Sequence, residues 1–334
     1  MEAFKLVQLA NAYSQSLLAF KTDRAARPFS ASFAVTNSCN ISCSYCNCPN
    51  LKTPELNLDQ INVLFAKLKK MGVVRLGLLG GEPLWRKDIL EIISLAKKVG
   101  FFVSMNTNLL MYQKYKDKLG AIDYFFTSLD GTPEKHIANR GAQSYEKIIN
   151  AIRQIVNNGQ KVTAICVVTE PDIASADYLL ELAEKEKITI HFQPECYDAE
   201  NTLRSASENM QQQAIRNYWN YIITRKKQGA RISSSMEYLK YISEWKDYSQ
   251  TSFYDPEARC AAGRGFLFID SSGYTFPCPY TKGSVEGINL LSEEWNEKFN
   301  PLTPCTKCIV GPMLEFNLLF DKPVASILSA LGNM

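Results

Sequence analysis

Between Ser32 and Lys227 the chain alternates short, almost continuously apolar runs with longer amphipathic stretches, and it does so six times. The apolar runs predict strands at Ser32–Thr36, Val73–Leu79, 101–105, 122–129, 161–168 and 188–192. The stretches between them predict helices over 59–70, 88–99, 111–119, 144–157, 175–186 and 207–227. Within 59–70, Ile61, Leu64, Phe65 and Leu68 recur at helical spacing, and Asp88 followed by Glu91 has the pattern of a capping box at the start of 88–99. Strands apolar on both faces, joined by helical crossovers, make a parallel sheet covered by helices. Six such units do not close an eight-fold barrel. The expected fold class is therefore α/β, a partial (β/α)6 barrel.

Outside that repeat, residues 3–20 have the spacing of an opening helix. The rhythm changes after about 230: a helix-like stretch at 235–245 leads into Phe266–Phe276, which predicts a hairpin turning at Asp270–Gly273. A small cysteine-bearing module follows, then an apolar tail from Leu314 to Leu331. The expected organisation is a helical extension over 1–31, the barrel over 32–228, and a small α+β domain with its tail over 229–334. A net charge of +3 with 21% charged residues gives no bulk signature of nucleic-acid or membrane-surface binding. No apolar run reaches membrane-spanning length and Met1-Glu2-Ala3-Phe4-Lys5 does not open a secretory signal, so a cytoplasmic protein is expected.

Ten cysteines in such a chain point to metal or catalysis rather than disulfides, and with two His residues a His-rich site is ruled out. The cysteines cluster as Cys39, Cys43, Cys46 and Cys48 near the start and Cys260, Cys278, Cys305 and Cys308 near the end. Cys39-Asn40-Ile41-Ser42-Cys43-Ser44-Tyr45-Cys46 lies just after the first strand, where parallel barrels place their catalytic mouth. Three thiolates so spaced can hold three irons of a cubic [4Fe–4S] cluster and leave the fourth iron open to a small molecule. Two other readings of these residues are a zinc site completed by Cys48 and a chance cluster; zinc sites more often pair CxxC units at a distance. Beside a cluster, Cys48 is read as packing rather than as a ligand.

The CxxxCxxC run with Tyr45 before its last cysteine resembles the signature of the radical S-adenosylmethionine (SAM) superfamily. The resemblance extends to Gly80-Gly81-Glu82-Pro83 after the second strand, which matches that family's GGEP element. It implies that Cys39, Cys43 and Cys46 ligate the cluster and that SAM chelates the open iron through its amino and carboxylate groups. Gly80, Gly81, Glu82 and Pro83 would hold the methionine ammonium, with the glycines letting backbone approach the ligand. Asn106, Asn108, Ser128 and Asp130 stand where the family places ribose and carboxylate contacts, although Asp130-Gly131 also reads as an ordinary turn. The implied reaction is reductive cleavage of SAM to a 5′-deoxyadenosyl radical that abstracts a hydrogen atom from substrate. A reductant such as flavodoxin or ferredoxin would supply the electron.

Cys260, Gly273 after twelve residues, Cys278 after four more and the Cys305-Thr306-Lys307-Cys308 pair resemble the family's C-terminal auxiliary-cluster module. With one CxxC and no further cysteines, the shorter Twitch form rather than the two-cluster SPASM form is implied. Four cysteines suit a fully ligated second [4Fe–4S] cluster, and a zinc ribbon with four cysteine ligands is the other reading. An auxiliary cluster able to accept an electron favours two-electron oxidation of a small polar metabolite or a peptide. The stretch before Ser32 is short for a leader-peptide-binding domain, which tips the expectation slightly to a small molecule. Redox-neutral epimerisation, with Cys166 or Cys196 returning a hydrogen atom, is the alternative, as is adenosyl addition to a substrate, lipids included. Glu195 is a candidate base, and for all three residues the competing reading is packing or a solvated loop.

Overall fold

The computed structural model describes residues 2–24, 26–141, 145–196, 211–293 and 304–323. In chain order the elements are α1 (Glu2–Lys21), β1 (Ser30–Thr36), α2 (Leu58–Met71), β2 (Arg75–Gly80), α3 (Ile89–Val99), β3 (Phe102–Asn106), α4 (Tyr112–Tyr115) and β4 (Tyr124–Ser128). Next come α5 (Pro133–Arg140), α6 (Tyr145–Asn157), β5 (Lys161–Val168), α7 (Ile173–Glu186), β6 (Thr189–Pro194), α8 (Gln212–Lys227) and α9 (Met236–Ser243). The chain continues with β7 (Ser252–Phe253), β8 (Phe266–Ile269), β9 (Tyr274–Phe276), β10 (Ile288–Asn289), β11 (Lys307–Cys308) and α10 (Gly311–Asp321). Each expected strand is present. Residue 144, the first four residues expected of helix 207–227 and the end of the apolar tail at 324–331 lie outside the described residues. The fold is α/β with a mostly parallel sheet.

Contacts divide the chain into two compact units that interleave in sequence: Met1–Asn40 with Asn47–Phe125 and Cys260–Pro304, and Ile41–Cys46 with Phe126–Arg259 and Cys305–Met334. In the first unit β1 pairs in parallel with β2, Phe33 opposite Leu78, and β2 pairs in parallel with β3. On its other edge β1 pairs in parallel with β8, Phe33 opposite Ile269. The β8–β9 hairpin is the one read from 266–276, with Gly273 at φ +90° and the Asp270 carboxylate accepting from the N–H groups of Ser272 and Tyr274 at 3.0 Å each. The apolar faces of sheet and helix meet in a chain of edge-on rings, Phe33 to Phe65 at 6.2 Å and Phe65 to Phe101 at 5.7 Å.

Helix α2 starts on a capping box: Asn57 accepts from Gln60 N, and the Gln60 side chain accepts from Asn57 N. The box expected at Asp88 and Glu91 does not form, because Arg86 takes the Asp88 carboxylate at 2.6 and 3.1 Å. A charge-assisted pair outcompetes a neutral backbone cap for the same oxygens.

In the second unit β5 and β6 pair in parallel, Cys166 opposite Phe192. Leu129, just past β4, donates its N–H to Ile165 O of β5 at 3.0 Å. Helix α5 was not expected from periodicity. Its signal is in its ends: Thr132 accepts from Lys135 N, Pro133 sits in the first turn, and Gly141 at φ +64° stops it. The helix expected at 111–119 is only α4 followed by a 3-10 turn at Lys116–Lys118. No helix among the described residues is long and apolar enough to cross a membrane.

Candidate metal and cofactor site

Cys39, Cys43, Cys46 and Cys48 all lie on the loop that leaves the C-terminal end of β1. All ten cysteines are reduced thiols. Cys39 and Cys46 are half-buried and Cys43 is buried. Cys48 points back along the loop, its Sγ 3.7 Å from Asn37 Oδ1. Among the described residues no group of three or more His, Cys, Asp or Glu side chains stands in metal-holding geometry.

The turn after β2 is tied to this loop through backbone. Gly81 N donates to Thr36 O at 2.8 Å and Glu82 N to Ser38 O at 2.9 Å. A Cβ on Gly80, which sits at φ +141°, would lie 2.0 Å from Thr36 O, and one on Gly81 would lie 2.3 Å from Ser38 O. The glycine pair is thus required by one backbone closing on another. Alanine at Gly81 is expected to cost more than about 1 kcal/mol, because the obstacle is main chain and cannot swing away. Thermal unfolding of Gly81→Ala beside wild type checks this.

Glu82 is fully buried. Its Oε1 accepts from Leu84 N at 2.9 Å and from Thr107 Oγ1 at 2.7 Å, and its Oε2 accepts from Asn108 N at 2.7 Å. Burial raises its pKa to about 7 against the pull of those three donors. The carboxylate therefore ties the turn after β2 to the residues after β3, and Pro83 buries itself to open the next turn. Asn108 Nδ2 in turn donates to Asn40 Oδ1 at 2.7 Å, beside Cys39, while Asn106 is half-buried at the end of β3.

Ser128 ends β4 half-buried, but Asp130 is almost wholly buried and fully engaged. It accepts from Arg140 Nε at 2.8 Å, Arg140 Nη2 at 3.0 Å and Tyr45 Oη at 2.9 Å. Neither the turn reading nor the ribose-contact reading of Asp130 anticipates this ion pair, since its partner lies on α5. Tyr45, within the cysteine run, and Arg140 are the site residues that the sequence reading passed over as partners of Asp130. The remaining Arg140 arm, Nη1, reaches Cys43 Sγ at 3.9 Å.

Cys166 is buried on β5, and its burial, with Asp130 nearby, pushes the thiol pKa far up. Cys196 is buried beyond β6, its Sγ 3.6 Å from Pro194 O and 3.9 Å from Ile309 O, and Glu195 is buried beside it. Cys278 and Cys308 are buried and Cys260 and Cys305 half-buried. Cys260 and Cys278 belong to the first unit, Cys305 and Cys308 to the second.

A mostly parallel α/β sheet, with a cysteine run following its first strand and a glycine turn bonded to the residues that lead into that run, is the fold that the radical SAM resemblance implies. Residues 33–193, from β1 to β6, match the Radical SAM superfamily. Proteins of that superfamily are enzymes that use a [4Fe–4S] cluster and SAM. Over 133 residues the chain is 31% identical to a probable GTP 3′,8-cyclase of Archaeoglobus fulgidus, covering 38% of this chain and 44% of that protein. Over 170 residues it is 29% identical to the mycofactocin maturase of Mycobacterium tuberculosis, covering 49% of this chain and 44% of the maturase. The matched regions span less than half the length of either relative. The structure of Streptococcus suis SuiB bound to its precursor peptide SuiA superposes with a TM-score of 0.67 at 15% identity, covering 85% of this chain and 68% of SuiB. That likeness establishes the fold as the partial barrel.

Proposed function

We propose that this chain is a radical SAM oxidoreductase that oxidises a peptide or small molecule by two electrons. The observation that carries the reading is the pairing of the glycine turn with the residues that lead into Cys39, through Gly81 N to Thr36 O and Glu82 N to Ser38 O. The donor chemistry suits the cofactors: one loop carries three reduced thiols, the ligand type that three irons take, and a charged guanidinium faces one of those sulfurs. A cluster held there, reduced by a donor such as flavodoxin or ferredoxin and with SAM bound, would supply the one-electron cleavage of SAM and the hydrogen-atom abstraction that follows. Cys39, Cys43 and Cys46 are the ligands in this reading. Backbone carbonyls of Gly80–Pro83 would hold the SAM ammonium, with Glu82 fixing the turn through Thr107 and Asn108. Asn106, Asn108 and Ser128 remain its polar contacts, and Asp130 serves by positioning Arg140 and Tyr45.

Cys260, Cys278, Cys305 and Cys308 are assigned to a second, fully ligated cluster that accepts the electron left on substrate, in a C-terminal module over 229–334 that follows the barrel at 32–228 and the extension at 1–31. SuiB bound to a precursor peptide supports the peptide arm of the substrate assignment. In this reading Cys166 and Cys196 are packing residues: Cys166→Ala and Cys196→Ala keep product formation, and loss of product in either would favour hydrogen return by a thiol.

The test is anaerobic reconstitution, counting iron per chain and following 5′-deoxyadenosine under reductant. About eight irons are expected, falling to about four, with loss of 5′-deoxyadenosine, when Cys39, Cys43 and Cys46 are replaced by alanine. About four irons in wild type, all lost in that variant, would return the C-terminal cysteines to zinc or packing. A product lighter by two hydrogens supports oxidation, and an unchanged mass excludes it.

A further inference from the structure

Arg140 is the last residue of α5, and only 10% of its side chain is exposed. Two arms of its guanidinium are committed to the buried Asp130, Nε to Oδ2 and Nη2 to Oδ1. That two-point grip fixes the plane of the fork and aims the third arm, Nη1, at Cys43 Sγ. The loop is held to receive it: Ser44 N donates to Asn139 O at 2.7 Å, Tyr45 Oη donates to Asp130, and the guanidinium lies 5.4 Å from the Tyr45 ring centre. A long flexible side chain on the surface would not spend three partners on one orientation.

We infer that Arg140 sets the reduction potential of the cluster ligated by Cys43, raising it by directing a charged N–H at a ligating sulfur. The inference rests on the proposed function, in which Cys43 is a cluster ligand. Reduction adds one electron, taken from a donor such as dithionite or a flavodoxin, with no bond made or broken and no proton moved. The electron adds negative charge to the cluster and its thiolates, so a nearby cation stabilises the reduced state more than the oxidised one. Asp130 offsets part of this field, but the guanidinium stands between it and the sulfur. Arg140 is thus a positioning and tuning residue rather than one that touches substrate.

The experiment compares wild type, Arg140→Lys and Arg140→Gln after anaerobic reconstitution. Each is titrated potentiometrically by electron paramagnetic resonance, following the signal that Cys43→Ala abolishes. At a fixed ambient potential the reduced-to-oxidised ratio is expected to fall at least tenfold in Arg140→Gln, a downward shift of ~59 mV for a one-electron couple. Arg140→Lys keeps the charge on Asp130 but lacks the arm that reaches sulfur, and is expected to fall between the two. It also decides the matter if the glutamine variant does not retain its cluster. Variants that retain iron and titrate with wild type would overturn the inference and leave the functional reading standing. A wild-type protein that assembles no such signal would overturn the functional reading and the inference with it.

Discussion

Arg140→Ala is expected to lower the stability of the apoprotein by roughly 3–5 kcal/mol. The cost comes less from the lost contacts than from Asp130, only 1% exposed, which would be left charged and without its cation. Tyr45 Oη is then the side-chain donor still bonded to that carboxylate. Replacing both partners, Asp130→Asn with Arg140→Ala, removes the stranded charge, so the double variant is expected to be more stable than Arg140→Ala alone. Urea denaturation under reducing conditions measures both. A loss below about 1 kcal/mol in Arg140→Ala would mean that the pair behaves as a solvent-screened surface bridge.

Glu82→Ala is the second large effect, with an expected loss of about 3 kcal/mol as Leu84 N, Thr107 Oγ1 and Asn108 N lose one shared acceptor in a buried site. Glu82→Gln should lose less, since its amide oxygen still serves Leu84 and Thr107 while its NH2 meets Asn108 N–H donor to donor. The carboxyl also gives stability a pH dependence of definite sign. Its pKa is raised from 4.5 to about 7 by burial, so between those values the native state binds the proton that the unfolded state has released. The Glu82 contribution to stability is therefore fullest below the lower value and falls as pH rises through the higher one, by about 3 kcal/mol in all. The drop in unfolding free energy between those pH limits should be smaller in Glu82→Gln than in wild type. An equal drop in the two proteins would assign the pH dependence to other groups.

Much of this architecture is legible locally. Burial on both faces of a strand and on one face of a helix imposes periods of two and 3.6 residues, so β1 to β6 and the helices α2, α3, α6 and α7 can be read from apolar spacing. The 266–276 hairpin is equally visible, since Asp270 and Gly273 meet the turn's own backbone requirement. Elements with weak periodicity escape. Helix α5 has eight residues, and its buried positions include His136, Asn139 and Arg140, so a scan for apolar residues passes over it.

The cysteine run and the Gly80-Gly81-Glu82-Pro83 turn are legible because ligand type and spacing sit within one short segment. What those segments do to each other is not. The glycines read as room for a ligand are required by the carbonyls of Thr36 and Ser38, and Glu82 read as a ligand contact spends its oxygens on Thr107, Asn108 and Leu84. The capping box read at Asp88 is undone by Arg86, two residues away, because a side-chain charge is invisible to a rule about backbone caps.

By itself, then, the sequence determined the strand–helix repeat, the position of the cysteine loop after β1 and the glycine turn after β2, because each depends on neighbours within a few residues. Tertiary structure alone decided that β8 returns to pair in parallel with β1, that Asp130 belongs to Arg140, and that Arg140 reaches Cys43. These pairings join residues far apart in sequence. Their energy lies in desolvated charge and backbone hydrogen bonds that exist only once the chain has closed around them.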